Sequence, residues 1–303
     1  MTDAPRLSQD LQPVAVVGAK QWDFTSQING RTYRVFIWIP EIEPPEGGFP
    51  VVYGLDANTQ FPMASDMVRA WSLGGAIRPA VMVGIGYPAT LLSDAMALRF
   101  KDLSLSTTAD WMASSVHPLD GLTPEDVGGV DDFLRVIEDE IKPAVGALAP
   151  VNASEQTLMG HSLGGLTVLR ALFTCPDTYA RFVAASPSIW WADRAILSEE
   201  PAFARRVMAG EITPKILIMA GGLEQAVDSA AIRHFKSRET AEAVAAYCAM
   251  VDHAEALSGR LAALKGAEGY QVESFTFHGE NHMSVVPAVI SRGLMFALGR
   301  RGF

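Results

Sequence analysis

Residues 157–167 read "TLMGHSLGGLT", with one serine set between glycines where an apolar run stops and another starts. The run before it, "QTLMG" (156–160), is short and has the composition of a buried strand. The run after it, Leu166-Thr-Val-Leu-Arg-Ala-Leu-Phe173, repeats apolar residues at helical spacing. Ser162 is therefore expected at a strand-to-helix turn.

Gly160-His161-Ser162-Leu163-Gly164 fits G-x-S-x-G, the nucleophile elbow of α/β-hydrolases. The glycines have a steric reason. The serine adopts a strained backbone conformation, and side chains at the flanking positions would strike the neighbouring strand and helix. The result is an exposed Oγ at a helix N-terminus, with the Leu163 N–H facing the place where an oxyanion forms. An ordinary turn with a capping serine would look similar over five residues. The strand and helix contexts on both sides, with Gly165 adding room, favour the elbow.

Other apolar runs lead outward from this turn: "VVYGLD" (51–56), "AVMVGIGYP" (80–88), "RFVAASPS" (181–188), "KILIMAGG" (215–222) and "YQVESFTFHG" (270–279). Tyr33 to Pro40 reads as an earlier strand, and "EIEPPEGGFP" (41–50) as a connection. Helical patterns lie between most of them, over Val130 to Leu148, about Glu239 to Lys265, and Ser284 to Leu298. Alternation of this kind predicts an α/β fold of the α/β-hydrolase type, a mostly parallel sheet with helices on both faces. We expect one domain over residues 1–303. Residues 88–129 break the alternation and are expected to form a lid or site wall.

A serine hydroxyl needs a base, and the base must be oriented. Six histidines are available. His161 adjoins the serine, but a side chain one position away in an elbow is expected to point elsewhere. His117, His234 and His253 lie in loop or helix contexts and read as solvated. In "FTFHGENHMSVV" (275–286), His278 ends the last strand pattern and His282 precedes the last helix. The chain order serine, acid, histidine, with the histidine in the loop after the last strand, favours His282 over His278. The acid should follow an intervening strand. Glu224 does so, with Asp228 as the second choice, although a carboxylate there can also be a helix cap. The second oxyanion donor should come from the loop after the third strand, at Ala57 or Asn58. The two histidines of the last loop, with Glu280 between them, also suggest a metal site. H-E-x-x-H is absent and no third ligand cluster is visible, so we expect neither metal nor cofactor.

Formal net charge is −10 and no Lys/Arg block stands out, which argues against nucleic acid as a partner. No apolar run reaches the roughly 18–20 residues of a membrane span. The first twenty residues read as no secretory signal, and Cys175 and Cys248, the only cysteines, form no C-x-x-C; a cytoplasmic location is the expectation.

Six stretches together carry a resemblance. "VVYGLDANTQF" (51–61), "GGVDDFLRVIEDEIKP" (128–143), "MGHSLGGL" (159–166), "AASPSIWW" (184–191), "IMAGGLEQ" (218–225) and "GENHMSVVPAVISRGLMFAL" (279–298) resemble the putative-esterase, or esterase D-like, family of α/β-hydrolases. Within it they look most like the ferric-siderophore trilactone hydrolases of the enterobactin-esterase type. The resemblance implies Ser162 as nucleophile, His282 as base and Glu224 as orienting acid, although some members work as a Ser–His dyad. It also implies ester hydrolysis through an acyl-serine, on a siderophore trilactone or its linear fragments. The alternatives are a general carboxylesterase or acyl-hydrolase, and an inactive hydrolase fold used for binding. Leu55-Asp56-Ala57 stands where the family usually has Leu-Asp-Gly, and "LRFKDLSLST" (98–107) lacks the family's Thr-Pro. A ferric tris-catecholate is anionic, so its site needs cations. Arg99 and Lys101 are the candidates, ahead of Arg69, Arg78 and Arg194, with Trp190 or Trp191 as a wall. Of that tryptophan pair, one is expected inward and one outward.

Overall fold

The computed structural model describes residues 14–89, 92–114, 116, 121–227 and 237–300. Eight strands form one sheet: β1 (Ala19–Thr25), β2 (Thr32–Trp38), β3 (Phe49–Gly54), β4 (Val81–Gly86), β5 (Val151–His161), β6 (Arg181–Ala185), β7 (Lys215–Gly221) and β8 (Gln271–Phe277). Their spatial order is β1-β2-β4-β3-β5-β6-β7-β8. The β1–β2 and β2–β4 pairs are antiparallel, and every pair from β4 to β8 is parallel. The sheet is therefore mostly parallel, as its runs of Val, Ile, Leu and Met predict for strands covered on both faces.

The two-residue side-chain period assigns the faces. Val51 and Tyr53 of β3 enter one core with Leu158, Ile216 and Ile218, while Val52 enters the other with Met159, Leu217 and Met219. The second core is closed by α1 (Ala57–Leu73) and, at the chain's other end, by the helix Val286–Leu298. On the first face lie α2 (Leu92–Leu103), α3 (Ala109–Ser114), α4 (Val130–Val136), α5 (Lys142–Leu148), α6 (Leu163–Thr174), α7 (Trp191–Arg194), α8 (Glu200–Met208), α9 (Arg238–Cys248) and α10 (Met250–Ala262). The last helix, Val286–Leu298, is α11. One π-helical turn, Ile137–Ile141, joins α4 to α5 just before Pro143, whose missing N–H cannot continue the α-helical ladder.

Three features differ from the sequence reading. β1 is a strand where none was predicted, paired along its whole length to β2 at the sheet edge. The helix expected from Glu239 is two helices, broken at Ala249 in the left-handed region (φ 39°). Trp190 and Trp191 do not split. Both are buried, and Trp191 donates its indole N–H to the Leu105 carbonyl at 2.8 Å. Among the described residues no helix is long and apolar enough to cross a membrane.

The strand order decides where the site falls. β3 and β5 are neighbours, with Gly54 opposite Met159, so the turn after β3 lies against the turn after β5. β6, β7 and β8 follow on the other side in register, with His161 opposite Ala185, Ala185 opposite Met219, and Gly221 opposite Phe277. Five carboxyl-terminal loops are thereby brought along one edge, where parallel α/β sheets place their ligands.

Candidate active site

Ser162 sits between β5 and α6 at φ 62°, ψ −119°, a conformation that costs about 1–3 kcal/mol for a residue with a side chain. The glycines around it are steric necessities. A Cβ on Gly160 would run into the Gly164 backbone, and one on Gly165 would come within 2.7 Å of the Ala185 carbonyl oxygen. The Ser162 N–H donates to the Ala185 carbonyl at 2.9 Å, tying the elbow to the next strand.

His282 lies in the loop between β8 and α11, with its Nε2 3.0 Å from Ser162 Oγ and its Nδ1 2.6 Å from Glu224 Oε2. Because a carboxylate only accepts, the partners assign the proton to Nδ1 and leave Nε2 to accept from the serine hydroxyl. Glu224 follows β7 and its side chain is fully buried. Its second oxygen, Oε1, accepts from the Gly221 N–H at 2.6 Å and from Ser186 Oγ at 2.5 Å. Each carboxylate oxygen thus has a donor, as burial of this group requires. The structure brings together the three residues singled out in the sequence. His278 is exposed at the end of β8, and no hydrogen bond joins it to Ser162. Asp228, His117 and His234 lie outside the described residues.

Two further side chains went unrecognised in the sequence. Ser186, in left-handed backbone (φ 41°), holds Glu224 as above. His161 does not point away from the site. Its ring centroid is 4.5 Å from that of His282. Burial, with smaller contributions from His282 and Arg99, holds its pKa well below the usual imidazole range, against a hydrogen bond to the His282 backbone. A neutral ring in this position adds no charge repulsion to an imidazolium formed at His282.

The N–H groups of Leu163 and Ala57, the first residues of α6 and α1, have no hydrogen-bond acceptor among the described residues, and they follow the neighbouring strands β5 and β3. Two cavities meet at the serine. One, of about 550 Å³, is walled by Tyr87, Phe100, Trp190, Trp191, Met63 and Met96 among others. The other, of about 250 Å³, runs between Trp190 and the α9 residues Ala241, Val244 and Cys248. A larger cleft, of about 900 Å³, lies at the opposite, amino-terminal ends of β5 to β8 and has no part of this chemistry.

The cations differ from the sequence expectation. Arg99 does line the 550 Å³ cavity, but its Nε and one terminal nitrogen are bonded to Asp56 Oδ1 and Oδ2 at 2.6 and 3.1 Å. The Lys101 ammonium donates to the carbonyls of Glu125 and Val127 at 2.8 and 2.9 Å and does not reach the cavity. Arg69 pairs with Asp66, and Arg78 pairs with Glu155 in the distant cleft. Helix α2 places Arg99 and Asp102 on different partners. Asp102 is fully buried, meets Arg31 at 2.6 Å and accepts from the Tyr87 hydroxyl at 3.1 Å. Burial pushes its carboxyl up to about 6, against the pull of that arginine and tyrosine. Among the described residues no group of three His, Cys, Asp or Glu side chains is placed to hold a metal ion.

A mostly parallel sheet of this strand order, with a G-x-S-x-G turn at the end of β5, defines an α/β-hydrolase. Comparisons narrow the class. The family model described as "Putative esterase" matches residues 119–256. The ferri-bacillibactin esterase BesA of Bacillus subtilis is 36% identical over 277 residues, which is 90% of this chain and 87% of that one. The siderophore triacetylfusarinine C esterase of Aspergillus fumigatus is 32% identical over 293 residues, covering 93% and 94%. The crystal structure of BES protein from Bacillus cereus superposes with a TM-score of 0.80 at 28% identity, covering 96% of this chain and all of that one. The chain belongs to this esterase family, beside relatives that are siderophore esterases.

Proposed function

We propose that this chain hydrolyses the ester bonds of a siderophore, a trilactone or its linear fragments, through an acyl-serine at Ser162. The observation that carries the reading is the unbroken relay Ser162–His282–Glu224, at 3.0 and 2.6 Å. His282 Nε2 takes the hydroxyl proton as Oγ bonds to the ester carbon. The carbonyl oxygen becomes an oxyanion facing the Leu163 and Ala57 N–H groups. The C–O bond to the leaving alcohol then breaks, and the imidazolium returns its proton to that oxygen. Water repeats the cycle on the acyl-serine, releasing the carboxylic acid. Glu224 fixes the tautomer of His282 throughout. No cofactor enters this scheme, and iron, where present, arrives with the substrate. In this reading the whole chain acts as one domain, and α2 within the 88–129 segment forms a wall of the cavity.

Glu224→Gln tests the relay. The amide keeps the size of the side chain but can present an N–H to His282, which favours the wrong tautomer. The expected loss in kcat is about 10²–10⁴-fold with little change in KM. A loss under tenfold would mean that the serine and histidine work as a dyad.

Substrate charge is the second test. Among the described residues, the only ions lining the 550 Å³ cavity are Asp56 and Arg99, and they neutralise each other. Kinetics and mass-spectrometric product analysis should be run on short p-nitrophenyl esters, a metal-free catecholate trilactone, its ferric complex, and an ester-linked ferric hydroxamate. The uncharged substrates are expected to be cleaved at least as well as the ferric tris-catecholate, and with little dependence on salt. Brisk cleavage of simple esters with no siderophore product from any arm would assign the chain as a general carboxylesterase.

A further inference from the structure

Asp56 occupies the N-cap of α1, where an aspartate ordinarily accepts a hydrogen bond from the first turn of the helix. It makes no such bond. Its backbone is left-handed (φ 56°, ψ 36°), a conformation disfavoured for a residue with a side chain, and its carboxylate faces away from the helix towards Arg99. The pair is bidentate and almost excluded from water, with side-chain exposures of 13% for Arg99 and 9% for Asp56. Arg99 also donates to the His161 carbonyl at 3.2 Å. One guanidinium therefore joins the residue before Ala57 to the residue before Ser162.

The rest of the turn is pinned independently. The Leu55 N–H donates to the Met159 carbonyl at 3.0 Å. The Asn58 amide donates to the Tyr87 carbonyl at 2.8 Å and accepts from the Tyr87 N–H at 2.9 Å. Between those two anchors the Asp56 carbonyl, in the same peptide plane as the Ala57 N–H, accepts from the Thr59 and Gln60 N–H groups at 3.2 Å each. Arg99 holds the Asp56 side chain that keeps this strained residue in place. Gly164 fits the same arrangement, since a Cβ there would come within 3.2 Å of Asp56 Oδ2. Electrostatics demand the pairing as well. An uncompensated carboxylate one residue from an oxyanion donor would repel the negative charge that the donor is there to stabilise.

We infer that Arg99 is a positioning residue, which through its ion pair with Asp56 aims the Ala57 N–H at the oxyanion and cancels the Asp56 charge beside it. The inference rests on the acyl-serine reading above. It gives α2 a task beyond walling the cavity, because the helix carries the group that completes the oxyanion site. It also differs from the sequence expectation that Arg99 touches an anionic substrate.

The test uses the full chain with Arg99→Gln, Arg99→Lys, Asp56→Asn and the Arg99→Gln/Asp56→Asn double variant. Active sites are counted with a fluorophosphonate, and the substrate is neutral p-nitrophenyl butyrate. Arg99→Gln and Asp56→Asn are each expected to lower kcat per folded site about 10²-fold, with KM within threefold. Affinity for an alkyl boronic acid, whose tetrahedral adduct needs the oxyanion site, should fall in parallel, while affinity for butyrate should not. The double variant should be no worse than either single one, and Arg99→Lys should recover only part, since an ammonium cannot bond both carboxylate oxygens in that geometry. A kcat within threefold of the parent in Arg99→Gln overturns the inference. So does a loss confined to KM for an anionic ester, which would mean direct substrate contact, or a fall in melting temperature with kcat and boronate affinity per site unchanged. Full activity in Ser162→Ala would instead remove the serine mechanism on which the inference stands, and that outcome is separately visible.

Discussion

Ser162→Ala is expected to lower kcat by a factor of about 10⁴ or more, with the melting temperature within about 2 °C of the parent. The size follows from what is removed. The hydroxyl bonds to the base, and in the proposed mechanism it is the group that attacks the ester carbon. Without it, water must attack unaided, and what remains is binding and oxyanion stabilisation. Stability holds because alanine keeps the Cβ that the φ 62°, ψ −119° backbone already tolerates, and the vacated volume opens onto the 550 Å³ cavity. A second variant separates chemistry from strain. Ser162→Gly should be as inactive yet more stable, by about 1 kcal/mol, because glycine adopts this backbone without penalty. Mass spectrometry of the fluorophosphonate adduct completes the test. One label on Ser162 is expected, none in either variant, and a label on another serine would assign the nucleophile elsewhere.

The elbow was legible because its constraints are local. Two glycines at fixed offsets, a strand before and a helix after are all written within twenty residues. His282 and Glu224 were legible for a related reason. In a parallel sheet all carboxyl-terminal loops lie along one edge, so a residue past β7 and one past β8 fall on the same side as the loop after β5 and can reach it. What the sequence hid is tertiary pairing. Arg99 and Lys101 look alike as cations two residues apart on one helix. Yet one meets Asp56 across 43 positions and the other spends its ammonium on two backbone carbonyls. Neither partner leaves any periodicity to read. The elbow by itself does not place His161, because the last loop folds back and lays the His282 ring against it. β1 leaves little signal because it is an edge strand whose alternation, "AKQWDFT", rests on only a few apolar residues.

The last loop supplies the other large effect. His282→Ala should cost nearly as much as losing the serine, about 10⁴-fold or more in kcat, and combining the two should add little, because they act as one unit. His278→Ala should stay within threefold. The two histidines sit four residues apart and differ only in what the fold does with them. His278 is exposed at the end of β8. His282 lies between a fully buried carboxylate at 2.6 Å and the serine at 3.0 Å, with 37% of its side chain still open to solvent. That opening makes a further check available. Added imidazole should enter the space left in His282→Ala and restore part of the rate, in proportion to its unprotonated fraction, and should do nothing for Ser162→Ala. If His278→Ala is the inactive variant instead, the relay through Glu224 is not the one used, and the loop must rearrange by four residues to bring the other imidazole to Ser162.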